Sequence, residues 1–219
     1  MRSHKLVFLL SVLFFVSCGA GGGYLKLKIE TPGKPSLNLD KYTEVAITGF
    51  LLKKEAEDFD LNQELMKYFA EELQQKIKKD ISKKDISVKN DEGFEDGEFW
   101  RSVSEDSSEV LFFTGTAEYT SETRKAILKE QKRQEEDPFP DSPRLAERKF
   151  FTLVITLYLI DAETGTAVYK SDFQETRSYS NPNQTAYFAF FDLVNRIKTK
   201  FFRDIQGKTQ IQERYLIQR

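Results

Sequence analysis

One stretch of the chain, Lys149 to Asp161 (KFFTLVITLYLID), carries apolar or β-branched residues at nearly every position. A strand that faces solvent on one side alternates apolar and polar residues, whereas a strand covered on both sides reads as a continuous apolar run. The stretch therefore predicts a central strand of a sheet with cover on both faces. A chain built around such a strand must supply further strands beside it and helices to pack on it.

Further strands are indicated by alternating or β-branched runs on both sides of this stretch. The first, Tyr24–Glu30, alternates apolar residues with lysines, which is typical of an edge strand. The turn Asp161–Gly165 joins the central strand to its return strand, with Gly165 supplying a positive φ. The remaining predicted strands are Glu44–Phe50, Ile81–Val88, Glu109–Tyr119 and Thr166–Ser178. The tail Lys208–Arg219 is predicted to form either a final short strand or a segment lying on the core.

Two helices are predicted from apolar residues that recur every three or four positions. The first covers Leu61–Ile77, with Asp60 as its cap and Gln63 in capping-box spacing. The second starts with Asn181 as cap and Pro182 at the first helical position, and Gly207 ends it. The face of this second helix that is predicted to meet the core comprises Tyr187, Phe188, Phe190, Phe191, Val194, Ile197, Phe201, Phe202 and Ile205.

The order of these elements predicts an α/β (α+β) two-layer sandwich, in which a mostly antiparallel mixed sheet is covered by two main amphipathic helices. We expect residues 24–219 to form a single domain. Residues 90–108 are expected to be mostly loop, anchored by Phe99 and Trp100 through a turn of helix. A charged insertion at 120–148 is predicted to place a solvated helix or a disordered tip over Glu122–Glu136, above two strands that pair antiparallel.

The N-terminal segment, Met1–Ser17, has the layout of a secretory signal peptide. Arg2 and Lys5 provide a positive start, and Leu6–Ser17 is an almost unbroken apolar run. This run is too short for a membrane-spanning helix, which needs about 20 residues. It also lacks polar interruptions other than Ser11, which argues against a buried helix of the core.

The single cysteine, Cys18, directly follows this segment and is followed by Gly19–Gly23. The junction resembles the lipobox of bacterial lipoproteins, with Phe15 where the pattern favours Leu. That resemblance implies that residues 1–17 are removed, that Cys18 carries the lipid (palmitate among its acyl chains), and that residues 18–23 form a lipidated, glycine-rich tether. A flexible glycine run suits such a tether. A cleaved signal without lipid more usually ends in an Ala-x-Ala pattern, which is absent here.

Composition removes several classes of chemistry from the chain beyond the signal segment. The only histidine is His4, and the only cysteine is Cys18. Because Cys18 is expected to be acylated, this part of the chain offers neither the imidazole nor the free thiol of a Ser-His-Asp or Cys-His triad and of His- or Cys-ligated metal sites. No catalytic residue, cofactor site or metal site is predicted. The formal net charge of −2 gives no indication of nucleic-acid binding.

Several motifs, taken in order, resemble a group of bacterial envelope lipoproteins. The group includes the curli secretion channel lipoprotein, the outer-membrane activator of penicillin-binding proteins, and the N-terminal domain of the Tol-system propeller protein. The resemblance covers about 44–206. It rests on the strand Val45–Phe50, the helix Leu61–Ile77, the strand end Thr114–Tyr119 and the strand and turn Leu157–Gly165.

This resemblance implies a non-catalytic, lipid-anchored adaptor or activator on the periplasmic side of the outer membrane, with an envelope protein as partner. Gly19, in place of an Asp that retains lipoproteins in the inner membrane, favours the outer membrane. Self-assembly into a ring-forming secretion component and lipid or lipopolysaccharide handling are alternatives. A pore is disfavoured because residues 120–148 lack the alternation of a membrane-spanning hairpin. A carboxylate-dependent glycan hydrolase is a further alternative, which needs two carboxyls in one cleft.

Overall fold

The computed structural model describes residues 24–31, 37–104, 109–127, 145–181, 183–207 and 210–217. Cys18, the signal segment and the tether lie outside the described residues, as does Pro182. The chain divides into two compact units, which separate after Lys34 and again after Gln206. The prediction that residues 24–219 form a single domain stays a prediction.

The smaller unit is a two-stranded antiparallel ribbon made from the first and last described segments. Strand β1 is Tyr24–Thr31 and strand β7 is Gln210–Ile217, and Tyr24 pairs with Ile217 at one end of their register. Both predicted strands are confirmed. Leu27 and Ile29 are exposed on this ribbon.

The larger unit holds a five-stranded mixed sheet in the order β3-β2-β4-β5-β6. Strand β2 runs parallel to both β3 and β4, whereas β4, β5 and β6 are successively antiparallel. The predicted fold class is confirmed. The strands of this sheet are β2 Glu44–Lys54, β3 Asp80–Lys83, β4 Val110–Ile127, β5 Leu145–Asp161 and β6 Ala167–Tyr179.

Two long helices, α1 and α3, cover one face of this sheet. Helix α1 is Leu61–Lys76, and Asp60 caps it by accepting a hydrogen bond from the Gln63 backbone at 2.9 Å. Helix α3 is Ala186–Gln206 and ends at Gly207, whose φ of 89° only glycine adopts easily. The main core between the helices and the sheet is rich in aromatic rings and includes Ile47, Leu65, Phe69, Phe113, Phe151, Leu157, Phe190, Val194, Ile197 and Phe201.

The opposite face of the sheet is covered at one end by a short helix, α2 (Gly97–Val103). Trp100 is fully buried there and donates a hydrogen bond to the Gly93 carbonyl at 2.9 Å. The expected turn of helix around Phe99 and Trp100 is confirmed. This second core consists of Ala46, Val88, Phe94, Trp100, Val110, Phe112, Tyr158, Ile160 and Ala162.

Cover on both faces of β5 is therefore confirmed only for the C-terminal end of the strand. Tyr158 and Ile160 are buried in the second core, whereas Thr152, Val154 and Thr156 are only half-buried on the same face. The prediction is wrong for that middle segment because α2 spans only a short part of the sheet. Polar partners occupy the surface instead, since Thr156 donates to Asp172 at 2.6 Å.

Three local predictions are wrong. Residues 122–127 are not helical but extend β4, and they pair antiparallel with the start of β5. Residues 128–136, the rest of the predicted helix or disordered tip, lie outside the described residues. Strand β3 ends at Lys83, so Ile86 and Val88 pack into the second core from a loop. Helix α3 begins at Ala186 and not after Asn181, because Thr185 accepts a hydrogen bond from the Phe188 backbone at 3.3 Å and caps the helix.

Candidate functional site

An open groove of about 560 Å³ runs along the outer surface between α1 and α3. Aromatic rings from both helices line it, and they are only partly buried. Tyr187 is 42 % exposed and Phe188 is 56 % exposed, which makes them the most exposed large apolar side chains in the described part of the chain. We call this surface the aromatic groove; its lining includes Tyr68, Glu72, Tyr187, Phe188, Phe191, Asp192, Asn195 and Lys198.

Several rings of the aromatic groove contact each other. The centroids of Tyr187 and Phe191 are 4.8 Å apart at an interplanar angle of 86°. Tyr68 on α1 lies 6.2 Å from Phe191 and so joins the two helices. Phe59 lies 5.6 Å from Tyr187 and 5.2 Å from buried Phe190, so the exposed rings continue into the core. Such packing holds the exposed rings in defined positions.

Hydrogen bonds between the helices fix the two sides of the groove. The Lys198 ammonium donates to Glu72 at 2.7 Å and lies 5.5 Å from the centre of the Tyr68 ring. The Tyr187 hydroxyl donates to Glu64 at 3.2 Å. The Tyr68 hydroxyl donates to Asn195 at 3.3 Å. Each of these contacts joins α1 to α3, so the groove is held by side-chain contacts across it.

A second polar cluster surrounds Asp192 at the β6 side of the groove. Its carboxylate accepts hydrogen bonds from Arg177 at 3.0 Å, from the Tyr179 hydroxyl at 2.9 Å and from Arg196 at 3.3 Å. Tyr179 in turn contacts the exposed Phe188 ring, with centroids 6.1 Å apart. Asp192 therefore anchors the start of α3 to β6, and its charge is already neutralised by two guanidinium groups.

The protonation states in the groove follow from these contacts. Burial by itself would lower the pKa of Lys198, but its hydrogen bonds to Glu72 and Tyr68 outweigh burial and raise that pKa. Burial, and then the hydrogen bond to Asp192, raises the pKa of Tyr179 to about 12. Burial and Glu64 likewise raise the pKa of Tyr187. At neutral pH the lysine is charged and these hydroxyls are neutral.

The prediction from sequence is wrong for the two most exposed residues of the groove. Tyr187 and Phe188 were expected on the core face of α3, but the buried face of its first turns comprises Ala186, Ala189 and Phe190. Because 187 and 188 are adjacent to buried positions on both sides, apolar periodicity alone could not separate them from the core. Cys18, the predicted attachment residue, lies outside the described residues.

Asp161 is the centre of a charged cluster at the turn between β5 and β6 in the larger unit. Its buried carboxylate accepts hydrogen bonds from Lys41 at 2.6 Å, from the Tyr42 hydroxyl at 3.0 Å and from the backbones of Glu163 and Thr164. Burial would raise the pKa of Asp161, but the hydrogen bonds from Lys41, Thr164 and Tyr42 lower it overall. The carboxylate has every partner it needs, so this cluster fastens the β5–β6 turn.

The described residues contain no group of three or more His, Cys, Asp or Glu side chains placed to hold a metal ion. No helix within the described ranges is long and apolar enough to cross a membrane.

Comparison with known proteins places the chain near several solved bacterial structures. No protein-family model and no curated protein matches it. The PelC dodecamer from Paraburkholderia phytofirmans is 15 % identical, with 84 % of this chain and 99 % of that chain covered and a TM-score of 0.43. A homolog of neuraminyllactose-binding hemagglutinin from Helicobacter pylori is 10 % identical, with 81 % and 86 % covered and a TM-score of 0.42.

Lipoproteins are also among these structures. Lipoprotein GNA1162 from Neisseria meningitidis is 13 % identical, with 72 % of this chain and 99 % of that chain covered and a TM-score of 0.36. Because all three TM-scores are below 0.5, these similarities do not carry a function to this chain.

Proposed function

We propose that this protein is a lipid-anchored, non-catalytic envelope lipoprotein that uses the aromatic groove to bind a protein partner. The proposed attachment is through Cys18, on the periplasmic side of the bacterial outer membrane. The observation that carries the binding role is the exposure of Tyr187 and Phe188 beside a groove whose walls are held by contacts between α1 and α3.

The groove favours an uncharged, apolar occupant. Its charged groups already neutralise one another, since Lys198 pairs with Glu72 and Asp192 pairs with Arg177 and Arg196. What remains for a ligand is the exposed aromatic surface. Aromatic residues surrounded by a polar rim are typical of the centres of protein interfaces. The proposed occupant is therefore a protein segment, such as one face of an amphipathic helix, that inserts apolar side chains between α1 and α3.

Two alternatives from the sequence make different use of the same residues. A glycan hydrolase would require one carboxyl in the groove to donate a proton and another to act as base or nucleophile. Glu72 and Asp192 both line the groove, but each is engaged by cations. A lipid carrier would use the aromatic residues of α3 to enclose a chain, but Phe190 and Phe201 are fully buried against the sheet. Both observations favour binding of a protein at the surface.

Attachment is tested by metabolic labelling with a palmitate analogue. The full chain should carry the label and fractionate with outer membranes, and the Cys18→Ala variant should lose the label. A variant that still incorporates the label would overturn the proposed attachment.

Binding is tested by site-specific photo-cross-linking in cells that produce the full chain. A photoreactive residue replaces Asn195 at the groove, and a matched control replaces Val168, which is exposed on the outer strand β6. We expect a discrete adduct from position 195 only. The double substitution Tyr187→Ala and Phe188→Ala should abolish it, and circular dichroism should show that this variant is folded, although the lost contacts with Glu64, Phe59 and Phe191 lower its urea midpoint.

Identification of the adduct then decides between the alternatives. Mass spectrometry that places the cross-link in an apolar segment of another protein supports the proposal. An adduct between two copies of this chain would favour the self-assembly alternative over the adaptor. A glycan adduct, equal adducts at 195 and 168, or no adduct at either position would each contradict the proposed function.

A further inference from the structure

A group of lysines lies at the opposite end of α1, away from the start of α3. Residues 76–89 contain six lysines and two aspartates, in a chain whose formal net charge is −2. The local charge is therefore opposite in sign to that of the whole chain. Four of these six lysines lie between the end of α1 and the end of β3, and we call them the lysine patch: Lys76, Lys78, Lys79 and Lys83.

The backbone of this segment is fixed, so the lysines occupy defined positions. The Asp80 N–H donates to the Thr43 carbonyl at 3.2 Å, and the Lys84 N–H donates to the Ile47 carbonyl at 2.9 Å. Ile77 is buried in the main core and holds the turn between α1 and β3. The lysine patch is thus a feature of the folded surface.

Among the described residues, the lysine patch has no ion-pair partner of the kind that other cations of the same unit have. Lys41, Lys53, Lys198 and Lys200 each pair with a carboxylate at 3.1 Å or closer. Within the described ranges, the four members of the patch make no ion pair. Lysines on an edge strand also protect it from pairing with other chains. That role accounts for Lys83 on β3 but not for the members outside the strand.

A polar concavity of about 440 Å³ adjoins two members of the patch, Lys78 and Lys79. Hydrogen-bond donors dominate its lining, with Gln74 and Gln75 from α1 and Lys78 and Lys79 from the following turn. Asp80 is the carboxylate in this lining. Two ammonium groups beside two amides form a donor-rich surface suited to phosphate oxygens.

We propose that the lysine patch binds the anionic headgroups of the bilayer to which the protein is attached. The choice of a lipid surface over another polyanion rests on the proposed function, because a lipid on Cys18 places the chain beside a bilayer. On a chain held at a bilayer by its lipid, a few lysines with modest individual attraction act at a high effective concentration of headgroups.

Sedimentation with vesicles tests this proposal on the full chain carrying Cys18→Ala, so that no acyl group contributes. The vesicles contain phosphatidylethanolamine with or without one quarter phosphatidylglycerol. We expect binding only to the anionic vesicles, and loss of binding at 0.5 M salt because screening weakens the attraction. Replacing the four lysines of the patch by Gln should weaken partition at least tenfold, since each contributes roughly a fivefold factor near an anionic surface.

A matched control separates the patch from net charge. The variant with Lys54, Lys67, Lys125 and Lys170 changed to Gln loses the same charge elsewhere and should bind as the parent does. Replacing the patch lysines by Arg should retain binding, and circular dichroism should confirm that the Gln variant is folded. Equal loss in the patch and control variants, or no binding to anionic vesicles at low salt, would overturn the proposal.

Two further outcomes are informative. Competition by millimolar inorganic phosphate at constant ionic strength would indicate a discrete anion site and contradict binding of a lipid surface. If Cys18 is labelled with palmitate but the Cys18→Ala protein does not bind vesicles, the lysine patch proposal fails while the proposed attachment stands. Vesicle binding by the Cys18→Ala protein without palmitate labelling of the parent would support the lysine patch proposal and overturn the proposed attachment.

Discussion

Lys198 of α3 donates a hydrogen bond to Glu72 of α1 at 2.7 Å, and both side chains are 17 % exposed. The pair lies across the aromatic groove and is less solvated than most surface ion pairs of the molecule. Since a partly buried pair loses less of its attraction to water and salt, it should contribute to stability more than an exposed pair does. It also restrains the spacing of the two helices that form the groove.

We therefore expect Glu72→Gln to lower the free energy of unfolding by about 1 kcal/mol. Urea denaturation would measure it, with Glu71→Gln as control because Glu71 is exposed on the same helix. A double-mutant cycle with Lys198→Gln should give a coupling energy of about 0.5–1 kcal/mol. Equal effects of the two glutamate substitutions would show that the pair does not stabilise the helix contact.

Gly165 and Gly97 allow the β5–β6 turn to lie directly against the start of α2. A Cβ atom on Gly165 would lie 2.2 Å from the Gly97 carbonyl oxygen, and the φ of Gly165 is +67°. Gly165→Ala should therefore cost about 2 kcal/mol or more, from the left-handed backbone and the clash together. Thermal unfolding with calorimetry would detect the loss.

Gly97 provides the matched control for that substitution. A Cβ atom on Gly97 would have its nearest neighbour at 3.4 Å, which is ordinary contact, and Gly97 is the first residue of α2. Gly97→Ala should change the free energy of unfolding by less than about 1 kcal/mol, since alanine is favoured in helices. Similar losses in both variants would mean that the close approach is not what requires Gly165.

Local sequence signals predicted the elements whose physical cause is also local. Asp60 caps α1, Gly165 forms the hairpin turn and Gly207 ends α3 as expected, because capping and positive φ depend on a few adjacent residues. The apolar run at β5 predicted a central strand, and β5 lies between β4 and β6 in the sheet.

Features that depend on tertiary contacts were not predicted correctly. The exposure of Tyr187 and Phe188 depends on how α3 is rotated on the sheet, which an aromatic-rich helix does not reveal. Residues 122–127, which include Glu122, Arg124 and Lys125, form a strand because pairing with β5 supplies their backbone hydrogen bonds. The side chains of residues 122–125 remain in solvent. Charge alone therefore did not indicate a loop or helix.

The buried Asp161 predicts a specific loss of stability in acid. Its pKa is lowered in the folded state, so its ionised form contributes stability above the unfolded pKa, near 3.9, and this is lost as the pH falls through the lower folded value. At pH 7, Asp161→Asn should cost about 2–3 kcal/mol because Lys41 and the turn backbone lose a charged acceptor.

Urea midpoints at pH 7 and at pH 2.5 would check this prediction. The difference between the parent chain and Asp161→Asn should become smaller at the lower pH, where the parent carboxylate begins to protonate. Asp85→Asn, at an exposed position, should show little difference at either pH. A pH-independent difference for Asp161→Asn would show that hydrogen bonding, and not ionisation, dominates at this site.

We expect Tyr179 to ionise at a higher pH than an ordinary tyrosine when the folded protein is titrated with alkali. Burial, and then its hydrogen bond to Asp192, raises its pKa to about 12. The neutral hydroxyl therefore stabilises the folded state fully below pH 10, and this stabilisation is lost as the pH rises from about 10 to about 12. Absorbance of tyrosinate at 295 nm would follow the ionisation, with the chain in guanidinium chloride as the unfolded reference.

Two variants assign that step to Tyr179 at the end of β6 and to its contact with Asp192 of α3. Tyr179→Phe should remove one tyrosine from the part of the titration near pH 12, and Asp192→Asn should shift the same step to lower pH because the neutral amide no longer opposes the phenolate. Since Tyr179 contacts Phe188 at the groove, Asp192→Asn should also loosen the exposed ring. An unchanged titration in Asp192→Asn would leave burial alone as the cause of the raised pKa.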